Sequence, residues 1–367
     1  MGTMPSGLRR QIGQLLIAGF NGHQIPPELR SLAKEFSLGG VILFARNVAE
    51  PEQVAELSFD AARLVPDLPV WVSVDQEGGR VARLKAPFTE WPPMMTLGRS
   101  GDARLAERFA RALALELRSV GITLDYAPVL DILTNPKNPV IGDRALAENA
   151  DDVARLGAVV VRALQAEGLA ACGKHFPGHG DTSTDSHFEL PLVEHPPDRL
   201  RAIEFLPFKA AIAAGVATIM TAHVLVPSLD ERRPASLSRH VVYDLLRDEL
   251  KFEGVILSDD LEMKAVAAEY TVPDASVFAV EAGCDGVLIC SGDHDTQAAS
   301  LEALVHAVEA DRLPLGRVED ALKRQLRAKE RFLAAPVAAR PADRRALRDA
   351  LGRDEHRAIA EEMARFL

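Results

Sequence analysis

Hydrophobic and polar positions in this chain follow two alternating periods. Stretches with apolar residues three and four apart, the spacing of a helix face, give way to short runs of β-branched or wholly apolar residues. Helical spacing over 106–120 stops at Gly121, and Ile122-Thr123-Leu124-Asp125-Tyr126 follows. The same phrase recurs as 154–167, Gly168 and 169–175, then as 208–214, Gly215 and 216–223. It returns as 245–253, Gly254 and 255–259, and as 275–282, Gly283 and 286–290. A glycine just past a helix takes the left-handed conformation that turns the chain back toward a strand. Three more runs, 14–20, 40–44 and 70–75, bring the predicted strands to about eight, mostly alternating with helices. Several are apolar throughout, as strands buried on both faces should be.

Eight such units predict an α/β fold, a single-domain (β/α)8 TIM-type barrel, in preference to an open doubly wound sheet. The absence of a dinucleotide-type glycine fingerprint after the first strand points the same way. The barrel is expected over residues 1–335. Residues 336–367, rich in Arg and Ala at helical spacing, are expected to form a C-terminal helical extension packed on it.

Composition narrows the class of partner. A net charge of −11 argues against nucleic acid or an anionic membrane as the main partner. Cys172, Cys284 and Cys290 are odd in number and fall in or beside predicted strands, which suits buried free thiols in a reducing compartment. The apolar run 15–20 is too short for a signal peptide and reads as the first strand. Residues 1–6 formally fit a myristoylation pattern, but a pattern that short matches by chance and is discounted. No run approaches membrane-spanning length, and a cytoplasmic location is expected.

The chemistry concentrates in one segment. Lys174-His175-Phe176-Pro177-Gly178-His179-Gly180-Asp181 runs on to Asp185-Ser186-His187, so fourteen residues hold one Lys, three His and two Asp. The apolar run 169–172 leads into it, which reads as a strand delivering polar groups to a loop. Barrel enzymes keep their chemistry at the C-terminal ends of the strands. Those ends supply Asp75, Lys174, His175, His223, Asp259 and Asp260, and the loop after Tyr126 adds Asp131 and Arg144. A carboxylate closing an apolar strand can be a nucleophile, a metal ligand or a helix cap. With two adjacent aspartates one can cap while the other works; Asp259 takes the working role and Asp260 the supporting one.

Taken together, these segments resemble the single-domain bacterial β-N-acetylglucosaminidases of glycoside hydrolase family 3, the type that serves cell-wall recycling. The resemblance rests on Asp75-Gln76-Glu77-Gly78-Gly79-Arg80-Val81 with Arg83, on Ala127-Pro128-Val129 with Asp131, on Ile141-Gly142 with Arg144, on 174–187, and on Ser258-Asp259-Asp260-Leu261. Two departures flank matched residues: Ala145-Leu146 follows Arg144 where the family usually has Ser-Phe, and Asp125-Tyr126 stands where Asn-Phe is common.

The resemblance implies that Asp259 is the nucleophile, forming a covalent glycosyl-enzyme, and that His187 is the acid/base with Asp185 as its partner. An imidazole ordinarily titrates near pH 6.5, so a neighbouring carboxylate can tune it to give and retrieve a proton. Asp75, Arg83, Arg144, Lys174 and His175 are implied to grip the hydroxyls and N-acetyl group of the terminal sugar. The implied substrate is a small GlcNAc-containing muropeptide or disaccharide, with no cofactor and no metal. The glycine- and serine-rich loop carrying Asp185 and His187 is expected to move.

Other readings compete. The His and Asp residues of the loop also look like zinc or iron ligands, but barrel metal sites draw on several strands and these crowd into one loop. A non-catalytic sugar-binding module would need aromatic platforms, and aromatics are 5% of this chain. A β-glucosidase of the same family generally carries its acid/base on a second domain. Phosphorolysis stays open, because a His acid/base does not repel phosphate as a carboxylate would. His223 is as well explained by a satisfied core position, His179 by hydrogen bonds within its loop, and Met263 by core packing.

Overall fold

The computed structural model describes residues 7–334, 341 and 343–367. The chain runs through β1 (Leu16–Ala18), β2 (Gly40–Leu43), β3 (Trp71–Val74), a short hairpin of β4 (Gln76–Gly78) and β5 (Val81–Ala82), β6 (Leu124–Asp125), β7 (Ala170–Phe176), β8 (Thr218–Thr221), β9 (Val255–Asp260) and β10 (Gly286–Ile289). All but the hairpin close into one barrel in the order β1-β10-β9-β8-β7-β6-β3-β2. Every pairing in it is parallel. The eight predicted strands are these eight, each within a few residues of its expected position, and the (β/α)8 barrel is the fold.

Side-chain alternation explains why the strands are apolar on both faces. Ile17, Ile42, Trp71, Leu124, Cys172, Met220 and Leu257 form an interior cluster closed at one end by Phe332. Their neighbours Leu16, Val41, Val72, Ala171, Ile219 and Ile256 belong to the layer beneath the helices. All three cysteines are free and buried.

The helix–glycine–strand reading holds at Gly121, Gly168, Gly215 and Gly283, whose φ angles are 84°, 78°, 75° and 126°. It does not hold at Gly254. There the helix ends earlier (His240–Glu249) and Lys251, at φ 55°, takes the left-handed position. Gly254 is small for a different reason: a Cβ on it would come 2.6 Å from the Ala217 carbonyl oxygen.

The helix Leu315–Leu333 seals the barrel floor. Its Gln325 accepts from Trp71 Nε1 at 3.0 Å, and its buried Lys329 donates to Gln14 Oε1 at 2.9 Å and the Gly39 carbonyl at 2.8 Å. Helices Arg344–Ala350 and Asp354–Ala364 lie against Ala103–Ser119. Buried Glu116 ties them down, accepting from Thr89, Gly352 N and His356 Nδ1. The expected boundary at 335/336 and the 1–6 pattern lie outside the described residues. Among the described residues, no helix is long and apolar enough to cross a membrane.

Candidate active site

β3 ends at Val74, and the next residues leave the barrel as the β4–β5 hairpin. Asp75 and Glu77 sit two apart there, so both side chains face the same way. Across from them β7 supplies Lys174, whose Nζ donates to Asp75 Oδ1 at 2.7 Å and lies 2.6 Å from Glu77 Oε1. Arg144, from the turn Gly142–Arg144, meets Glu77 as a fork: Nε to Oε2 and Nη2 to Oε1, both 2.8 Å. Arg83 Nη2 lies 3.7 Å from Asp75 Oδ2.

Glu77 and Lys174 are almost wholly buried. Burial works against the charge on Glu77, but Arg144 and Lys174 outweigh it and hold the carboxyl well below its ordinary range. Burial also works against both cations, and the Asp75 and Glu77 carboxylates raise them regardless. Glu77, Lys174 and Arg144 are therefore held in their charged forms and joined by direct contacts.

His175 follows Lys174 through a cis peptide. The β7–β8 register shifts between Gly173 and Phe176, where such an irregularity re-aims side chains. His175 Nδ1 meets Asp131 Oδ2 at 2.6 Å. Buried Asp131 also accepts from the His175 and His179 backbone N–H groups. Burial pushes its carboxyl up, and the two histidines and these donors bring it net below the usual value.

The loop after β7 has a pinned base and an open tip. Gly180 packs so closely on segment 131–138 that a Cβ would come 1.7 Å from the Ile132 carbonyl oxygen. Asn138 Nδ2 donates to the His179 carbonyl at 2.8 Å and to Thr182 Oγ1 at 3.1 Å. Thr182 Oγ1 donates to the His179 carbonyl and so accepts from His179 Nδ1, leaving Nε2 to accept from Ser186 Oγ. The buried ring is thereby neutral, and burial lowers its pKa to about 4. Beyond it, His187 N and Nδ1 both reach Asp185 Oδ1, at 2.8 and 2.7 Å. The His187 side chain is 61% exposed, and Asp185 is its one polar partner among the described residues. With Nδ1 turned to the carboxylate, Nε2 faces outward.

At the end of β9, Asp259 is partly exposed and accepts from Asp260 N at 2.8 Å. Burial tends to raise its carboxyl, yet His223, His175, that N–H and Lys174 together leave it below the ordinary value. Asp260 turns the other way and accepts from Glu262 N and Cys290 N. Burial, with Glu262 and Asp259 nearby, pushes it up to about 7. The two adjacent aspartates thus differ, one ionised at the mouth and one tied into the backbone. His223 accepts from Ser236 Oγ at Nδ1 and donates from Nε2 to the Asp260 carbonyl, holding the strand end in place.

Every expected site residue lies at one end of the barrel. Asp75, Arg83, Arg144 and Lys174 form one network, His175 pairs with Asp131, and Asp185 with His187. Asp259 shares no direct bond with any of them. The network's centre, Glu77, is not singled out by its residue type; its i, i+2 spacing from Asp75 is the signal that marks it. Among the described residues, no three His, Cys, Asp or Glu side chains are grouped as a metal site requires.

Residues 7–328 match the model for the glycosyl hydrolase family 3 N terminal domain. The chain belongs to glycosyl hydrolase family 3. The beta-hexosaminidase of Pseudomonas aeruginosa (strain LESB58) is 39% identical over 293 residues, covering 79% of this chain and 86% of that protein. Beta-hexosaminidase A of Pseudoalteromonas piscicida is 38% identical over 72% of this chain, which spans about half (48%) of that protein's length. Among solved structures, a family 3 beta-N-acetylglucosaminidase from Paenibacillus sp. str. FPU-7 superposes with a TM-score of 0.94 at 43% identity, covering 99% of this chain and 69% of that one. This family 3 chain is therefore a glycoside hydrolase whose relatives are β-hexosaminidases.

Proposed function

We propose that this family 3 chain is an exo-acting, retaining β-N-acetylglucosaminidase that removes terminal GlcNAc from muropeptides in the cytoplasm, as part of peptidoglycan recycling. The observation that carries the reading is the Asp185–His187 pair, 2.7 Å apart, on the same barrel face as the ionised Asp259. In this reading Asp259 attacks the anomeric carbon. His187 Nε2 gives its proton to the glycosidic oxygen, then takes one from the water that releases the sugar. Asp185 fixes the ring's tautomer and steadies its positive charge. Asp75, Arg83, Arg144, Lys174 and His175 hold the sugar, with Asp131 behind His175. The buried charges of Lys174 and Arg144 favour a small polar ring over an extended polymer.

One experiment tests the reading. kcat/KM is measured on an aryl β-N-acetylglucosaminide and the matching aryl β-glucoside, in phosphate-free buffer containing a chelator. Strong preference for the N-acetyl sugar is expected, and preference for the glucoside would overturn it. Activity appearing only on adding phosphate would make the enzyme a phosphorylase, and loss on chelation would make it metal-dependent.

A further inference from the structure

We propose that Asp181 and His195 are a positioning pair: they clasp the neck of the loop that carries His187 and keep that acid within reach of the glycosidic oxygen. The inference rests on the acid/base reading of His187 and deepens it.

The loop after β7 departs past Asp181 and returns through His195, with thirteen residues between them. His195 Nε2 lies 2.5 Å from Asp181 Oδ2, so the two arms are joined side chain to side chain where they meet. A carboxylate accepts, so Nε2 carries the hydrogen. Arg199 Nη1, 2.8 Å from Nδ1 and 2.6 Å from Nε2, braces the same ring. Each arm is also fixed from outside. Asp181 Oδ1 accepts from Thr134 Oγ1 at 2.8 Å. On the returning arm, Val193 N donates to the Leu225 carbonyl at 2.9 Å, and Ser228 Oγ donates to the His195 carbonyl at 2.5 Å. Beneath the neck, Arg199 Nη2 donates to buried Glu204 Oε1 at 3.2 Å. Glu204 in turn packs on Gly178, where an added Cβ would come 3.1 Å from its side chain. The contacts run in a ring from Gly178 through Glu204, Arg199 and His195 back to Asp181. A loop whose ends are held together in this way is an Ω-loop, and here the acid rides on it.

Near the acid the bonds are longer: the Ser186 carbonyl accepts from Ala265 N, and Ser186 Oγ meets His179 Nε2, both at 3.2 Å. His187 lies six residues past Asp181, and six residues can extend about 20 Å. An open neck would free both arms at once and spread His187 over that range. A closed one removes this loop entropy before any sugar binds. A proton donor must lie within hydrogen-bond reach of the oxygen it serves. The clasp therefore sets the fraction of molecules in which His187 is in place, and the rate of acid-assisted departure follows that fraction. Among the described residues, neither Asp181 nor His195 bonds to Asp259 or to the Asp75–Lys174 network, so its loss should be felt through His187.

The test compares kcat/KM on an alkyl β-N-acetylglucosaminide, whose leaving group needs an acid, with that on a dinitrophenyl one, whose leaving group does not. His195→Ala and Asp181→Ala should each lower the alkyl value by about tenfold, the scale of one charge-assisted hydrogen bond, and the dinitrophenyl value by less than about twofold. His195→Gln, whose amide can still donate to Asp181, should bring the alkyl value back to within about twofold of wild type. The dinitrophenyl rate also reports folding; if one alanine variant does not fold, the other, on the opposite arm, decides. Equal losses on both substrates, or none, while His187→Ala remains selective for the alkyl one, would overturn the clasp alone. Equal losses for His187→Ala itself would overturn the acid assignment and the clasp with it.

Discussion

Individual residues divide into those whose type announces a role and those whose role depends on a neighbour. Asp259 and His187 are of the first kind, and their proposed roles predict different losses. Asp259→Ala should abolish turnover on every substrate. His187→Ala should slow poor leaving groups by about 10²–10⁴-fold and activated aryl glycosides far less; equal losses on both, in steady-state assays, would remove it as the acid. Glu77 is of the second kind. Glu77→Gln leaves buried Lys174 and Arg144 short of their shared counter-charge and should cost about 3 kcal/mol in urea denaturation. Asp125 shows how the fold accommodates one departure from the family pattern. It is buried, accepts from Gln76 N at Oδ1, and has no partner at Oδ2. Burial raises its carboxyl well above the ordinary value, which favours the neutral form that the Asn common there resembles. Beside it, Tyr126 finds a partner for its hydroxyl in Ser73 at 2.9 Å.

At the scale of elements, the loop after β7 is the segment the sequence points to most directly, yet its two halves are not distinguishable there. Glycines and hydroxyl residues run through both, and both carry histidines. Only packing against 131–138 makes His179 a buried strut and leaves His187 in solvent. This difference has a pH signature. An unfolded His takes a proton near pH 6.5, whereas His179 in the fold takes one only near 4. Between those values the unfolded chain binds more protons, so stability falls as pH drops through that window. The loss should be on the order of 3 kcal/mol. Urea midpoints from pH 6.5 to 4 should show it, and His179→Gln should flatten the slope. The same contrast holds for the helix–glycine–strand phrase. It is legible because left-handed turns need glycine, and it misleads at Gly254 because close packing needs glycine too.

The whole molecule depends on closing the barrel, and its N-terminal floor is as polar as its mouth. Asp285, fully buried before β10, accepts from Arg247 at 2.5 Å and Arg317 at 2.8 Å, with Arg324 at 3.4 Å. Burial and the crowding of guanidiniums bring Arg247 down to about 10 even with Asp285 beside it. Asp285→Ala would strand three cations in a largely buried place and should cost about 3–5 kcal/mol. Denaturant unfolding checks this; a loss under 1 kcal/mol would mean that the arginines find water instead.

Periodicity determined the strands, the helices and the barrel, because burying both faces of a parallel strand demands an unbroken apolar run that the chain itself displays. Residue type and strand-end position likewise marked Asp75, Lys174, His175 and Asp259 before any geometry was known. What only the tertiary structure decided is which charges neutralise which. Glu77 meets Lys174 and Arg144 from nearly a hundred and nearly seventy positions away, and Asp131 meets His175. Such pairings have no local signature, since Coulomb attraction and desolvation depend on distance through space and on exclusion of water, and both are set when the barrel closes.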